Sequence, residues 1–144
     1  MTPLLVAAGI CVFLSVGHVW WGIVHPFRVL SASEIDEVVP ASLHACWYHI
    51  SIIFLVTAGA CLYHAAASSL SADAIWLLWI LNFLCWLCYL GVLWFHPKLW
   101  RIAWGQVLLI AIVLAALGWH IRASSPVLVA QHHQLPNADR LLEA

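Results

Sequence analysis

Residues 4–26 read LLVAAGICVFLSVGHVWWGIVHP. No Asp, Glu, Lys or Arg interrupts Leu4–Val24. At about 1.5 Å per residue, a helix of that length crosses roughly 30 Å of hydrocarbon. Within lipid every backbone N–H and C=O must be satisfied inside the segment, so a span of this kind is a helix. Yet His18 sits two helical turns before the His25-Pro26 exit, inside a run otherwise built for hydrocarbon. Whether the protein is a plain apolar bundle or a membrane protein with chemistry inside it turns on that residue.

Three further stretches repeat the pattern without a charged residue: Leu43–Tyr63, Ile75–Phe95 and Trp104–Ile121. The whole chain of 144 residues is 65% hydrophobic and 8% charged, where a soluble domain carries roughly a quarter charged residues. The spans show no two-residue alternation, which argues against a β-barrel. The expected class is therefore all-α: an integral membrane four-helix bundle, with short connections making consecutive helices antiparallel neighbours. The first span lacks a basic flank and a small-residue cleavage site, so it is expected to stay in the membrane. Residues 1–122 form the bundle on this reading and 123–144 a polar surface tail. In the first connection, Ser33 is expected to cap a short surface helix that Pro40 ends.

Arg28 follows the first span, and Lys98 and Arg101 the third, so these cations share one side, whereas Arg122 and Arg140 follow the fourth. Lys and Arg near helix ends favour the cytoplasm. Three against two places both termini on the outer, periplasmic side of a bacterial inner membrane. Trp20, Trp21, Trp94, Trp100, Trp104 and Trp119 lie near span ends, where an aromatic belt is expected.

Positions three and four apart share a helix face. On the first span Cys11, Ser15, His18, Gly22 and His25 make one small and polar stripe. The second gives Cys46, His49, Ile53, Thr57, Ala60 and His64; the third Asn82, Cys85 or Trp86, Tyr89, Leu93 and His96; the fourth Gln106, Ile110, Val113, Leu117 and His120. Such stripes face other helices rather than lipid. His18, His49 and Gln106 fall at a similar depth from one surface, and His25, His44 and His96 lie nearer that same mouth. His64 and His120 make a looser pairing near the opposite surface.

An ionisable side chain inside a membrane is costly without a partner and is by default a functional hypothesis. Imidazoles without a buried carboxylate suit haem, copper, iron or another tetrapyrrole. The leading expectation is a haem b-like site between the first two spans, with His18 and His49 as axial ligands. His96, His25 and His44 are the alternative metal ligands or a proton path. Its task would be electron transfer, with a quinone as a possible partner. A second expectation is an accessory subunit that packs against a larger membrane complex, with His18 and His49 as interhelical polar contacts. A third is a His-lined proton or metal-ion conduit, disfavoured by the mostly Val, Ile, Leu and Cys middle layer.

Cys85-Trp-Leu-Cys88 lies mid-span, out of reach of water, and reads as structural cysteine. Glu34, Asp36, Glu37 and Asp73 all lie in connections, so no catalytic carboxylate pair is available inside the membrane. A net charge of −1 and the absence of a basic patch exclude nucleic acid. The stretches GHVWWG (17–22), CWYHIS (46–51) and HPKLWRIAWGQVLLIAIVLAALG (96–118) resemble, in layout, small four-span bacterial membrane proteins of no assigned function. That resemblance implies the fold and no activity. The spacing departs from that of di-haem cytochromes b, whose ligands recur about thirteen residues apart on the same two helices: His49 and His64 are fifteen apart, and the first span lacks a matching second ligand.

Overall fold

The computed structural model describes the backbone of residues 2–32, 34–67 and 70–134, and the side chains of 3–32, 34–67 and 70–123. All regular structure among the described residues is helical: α1 (Thr2–Val24), α2 (Pro26–Ser31), α3 (Val38–Ala67), α4 (Ala72–Phe95), a 3-10 turn (Pro97–Leu99) and α5 (Trp100–Gln134). Four of these helices are long and apolar enough to cross a membrane, which gives the all-α membrane bundle that composition and span length require.

Going around the bundle, α1 packs along α3 and α5, and α5 packs along α4, whereas the backbones of α3 and α4 approach each other much less. The close packing of α1 on α3 follows from its small side chains. Ala7, Ala8, Cys11, Ser15 and Gly22 are buried and let the helix axes come together. The densest core lies toward the end where α1 and α4 begin, and it includes Leu4, Cys11, Phe54, Cys61, Ile75 and Leu117. At the other end burial is sparser, through Phe27, Leu93 and Ala103. That sparser end carries Arg28, Lys98 and Arg101.

The connections correct two expectations. The short helix of the first connection is α2, immediately after His25, and Pro40 does not end a helix but lies in the first turn of α3. The first turn suits proline because its N–H groups have no intrahelical acceptor. Ser33 lies outside the described residues. The last helix does not stop at Ile121 but runs past Pro126 to Gln134, and 135–144 lie outside the described residues. His25 and His96 stand at helix ends, where the backbone N–H of each closes the last turn. The N–H of His25 donates to the Trp21 carbonyl and that of His96 to the Val92 carbonyl, both at 3.0 Å. The belt tryptophans named from the sequence are all exposed, Trp94 at 81% and Trp119 at 69%.

Candidate functional site

His18 is buried, and it meets Ser51 and Trp47 of α3. Its Nδ1 lies 3.0 Å from the Ser51 hydroxyl. One turn earlier on α1, Ser15 Oγ donates to the Ser51 carbonyl at 3.0 Å. The imidazole lies flat on the Trp47 indole, with centroids 4.1 Å apart and planes 7° apart. Trp47 Nε1–H in turn donates to the His18 carbonyl at 2.7 Å. Two polar side chains of α1 are thus matched by two residues of α3, in a medium with no water to substitute for them.

Gly22 makes this contact possible. In a helix the carbonyl of residue 18 points toward residue 22, where a side chain would cover its second lone pair. A Cβ built on Gly22 would come within 2.5 Å of Trp47 Nε1 and 2.9 Å of Phe27 Cε2. The same device recurs across the bundle. Trp79 Nε1–H donates to the Leu114 carbonyl at 3.0 Å, and the residue four positions on is Gly118, whose Cβ would lie 3.4 Å from that nitrogen. A third indole, Trp86, donates to the Val107 carbonyl at 3.2 Å, and the residue four positions on is again small, Ala111.

His49 does not join His18. It is exposed, and its Nδ1 contacts the Ala45 carbonyl of its own helix at 2.6 Å. The reason is helical phase: His49 and Ser51 are two residues apart, so about 200° separates them around α3. The face of α3 turned to α1 is Trp47, Ser51, Phe54, Ala58 and Cys61, and the Cys46–His49 edge of the expected stripe is exposed instead. Ser51 and Trp47 are the partners that sequence reasoning missed. Their face repeats at the same three-and-four spacing and was detectable, but the histidines drew the choice to the other face.

The remaining candidates are dispersed. The His44 ring packs on Phe27 at 3.7 Å, the His25 ring on Trp21 at 4.0 Å, and His96 is exposed at the end of α4. Among the described residues no three His, Cys, Asp or Glu side chains converge into a group that could hold a metal ion. Gln106 meets Tyr89 and not His49: the phenol donates to Gln106 Oε1 at 3.0 Å. Asn82 is fully buried, and its amide donates to Thr57 Oγ1 at 2.9 Å and to the Leu78 carbonyl at 2.8 Å. Its Oδ1 is buried without a partner among the described residues. The pairing of His64 with His120 is present, with ring centroids 5.1 Å apart. Cys85 is half-buried and Cys88 exposed on α4, both as free thiols, so of the two only Cys85 packs partly inside the bundle.

Chemically, this arrangement offers helix-to-helix hydrogen bonds in the interior, with His49 among the imidazoles exposed on the outside. A carbonyl only accepts, so the Ala45 contact puts the proton of His49 on Nδ1 and leaves the Nε2 lone pair free to act as a ligand. Compared with protein-family models, with curated proteins and with solved structures, the chain finds no significant match.

Proposed function

We propose that this protein is an accessory subunit that packs against a larger membrane complex and contributes no chemistry of its own. One observation carries the reading: three sets of polar side chains inside the membrane join neighbouring helices. His18 and Ser15 meet Ser51, Asn82 meets Thr57, and Tyr89 meets Gln106. For these groups most of the cost of placing polar atoms in hydrocarbon is met by joining helices, with Asn82 Oδ1 the exception among the described residues. The outward faces, by contrast, carry large aromatic residues such as Phe13, Trp20 and Trp104. Extraction in a mild detergent followed by size analysis tests it. Co-elution with a stoichiometric membrane partner is the expected result, and a free chain from native membranes is the opposing one.

In this reading Arg28, Lys98 and Arg101 face the cytoplasm of a bacterial inner membrane and both termini face the periplasm. A C-terminal reporter active only outside the cytoplasm reads that orientation directly.

A second reading rests on His49. An exposed ring whose Nδ1–H is held by a backbone carbonyl is the preparation commonly seen in metal-ligating histidine. A single tetrapyrrole, haem b or a related pigment, held there by one axial ligand would suit electron transfer with a quinone. His18 would take no part, because its ring is stacked between the helices. Oxidised and reduced absorption spectra separate the readings: a Soret band lost in His49→Ala but retained in His18→Ala supports the second.

A further inference from the structure

The four spans differ in what they show to lipid. Every exposed residue of α1 within Leu4–Val24, and of α5 within Trp104–Ile121, is apolar or tryptophan. Within the charge-free stretches, the exposed thiols and the exposed imidazole lie elsewhere, with Cys46 and His49 on α3 and Cys88 on α4. Helix α4 is also the least buried of the four spans.

Helices α3 and α4 are joined mid-span by the Asn82 amide, which donates to Thr57 Oγ1 at 2.9 Å. Thr57 is fully buried there. Cys46 stands eleven residues earlier on α3, about 20° around the helix from Thr57, and it is exposed. On α4, Tyr89 lies seven residues past Asn82, about 20° from it, and its phenol donates to Gln106 of α5 rather than to α3. The seam between α3 and α4 is therefore closed at Thr57–Asn82 and open toward the end that carries Arg28. His49 stands on the lip of that opening, about 80° around α3 from Thr57 and on the side away from α1.

His49 lies about 9 Å inside the charge-free stretch that begins at Leu43. The Ala45 carbonyl holds its Nδ1–H, so Nε2 is an acceptor, and no described residue donates to it. A polar group facing hydrocarbon is costly, and in membranes such groups turn to other protein or to water. We infer that the partner subunit lays a transmembrane helix along the open part of the α3–α4 seam and donates a hydrogen bond to His49 Nε2. The inference rests on the accessory-subunit reading and adds to it the face that is used and the chemistry of the occupant. That occupant is an apolar helix with one hydroxyl, amide or indole donor at the depth of His49. Ala45 and Cys46, both exposed beside His49, are small enough to let a second helix approach closely. The apolar outer faces of α1 and α5 are left to lipid.

Photo-cross-linking of the full chain in its own membranes tests the face, with a benzophenone side chain placed at one position at a time. Ile50 of α3 and Val92 of α4 flank the open seam, and Phe13 of α1 and Leu108 of α5 point away from it; all four are exposed. The polypeptide that co-elutes in fixed ratio should be captured from Ile50 and Val92, and not from Phe13 or Leu108. In His49→Leu, retention of that polypeptide through a detergent wash should fall about fivefold, the scale of one net hydrogen bond, and His49→Gln, which keeps an acceptor, should restore it. The cross-linking map uses the unaltered His49, so it decides the face whether or not His49→Leu folds. Capture from Phe13 or Leu108 alone overturns the proposal and leaves the accessory-subunit reading standing, as does equal retention in a folded His49→Leu. An adduct between two copies of the 16.0 kDa chain at the seam also overturns it. Absence of any co-eluting polypeptide removes both.

Discussion

At the scale of single residues, the contact between α1 and α3 depends on a methyl group that is not there. A Cβ at Gly22 would lie 2.5 Å from Trp47 Nε1, in a place already bounded by Phe27. Gly22→Ala must push the indole off the His18 carbonyl and disturb the ring stack, a combined overpacking and hydrogen-bond loss of about 2 kcal/mol. Gly118→Ala meets Trp79 at 3.4 Å, a contact that a small shift relieves, and should cost less than about 1 kcal/mol. Unfolding by titration with a denaturing detergent in mixed micelles compares the two directly. Equal losses would mean that the indole-to-carbonyl contact does not set the α1–α3 distance. Sequence alone marked Gly22 as part of a small and polar stripe. It did not reveal the tryptophan, because nothing in one helix's sequence states which neighbour's side chain reaches it.

At the scale of elements, the difference between α1 and α3 explains what was legible. Cys11, Ser15, His18 and Gly22 make one polar stripe on α1, and all four are buried. Helix α3 carries polar residues on more than one face, and residues two apart point to opposite sides. Periodicity offered both the Ser51 and the His49 face, and α1, whose small residues admit Trp47, selects the first. Ser51→Ala should therefore cost about 1 kcal/mol by leaving His18 Nδ1 without its partner, whereas His49→Ala should stay within about 0.5 kcal/mol. The reverse order would show that the wrong face of α3 had been assigned to the interior. Between α3 and α4 the Asn82–Thr57 bond gives an asymmetric expectation. Thr57→Val leaves a buried amide N–H unpaired and should cost about 1–2 kcal/mol. Asn82→Leu removes that donor together with the unpartnered Oδ1, while Thr57 keeps its bond to the Ile53 carbonyl, so the loss should be smaller. The same unfolding measurement ranks these two variants, and a larger loss in Asn82→Leu would contradict the reasoning.

At the scale of the whole molecule, composition and span length were sufficient for the four-span helical bundle, because the membrane leaves a chain this apolar few alternatives. Matched depth was a weaker guide to the site. It grouped His18, His49 and Gln106 by distance along the helices, but contact also requires matched rotation, and the three went to Ser51, Ala45 and Tyr89. In the proposed role the polar interior joins helices, and the partner is another membrane protein held on the outside of the bundle. Native mass spectrometry of the chain, released from its own membranes in a mild detergent, tests this most directly. The expected spectrum shows the 16.0 kDa chain bound in fixed ratio to a second polypeptide, with no small-molecule mass retained after that partner dissociates. A chain that flies without a protein partner, or that keeps the mass of a tetrapyrrole, would contradict it.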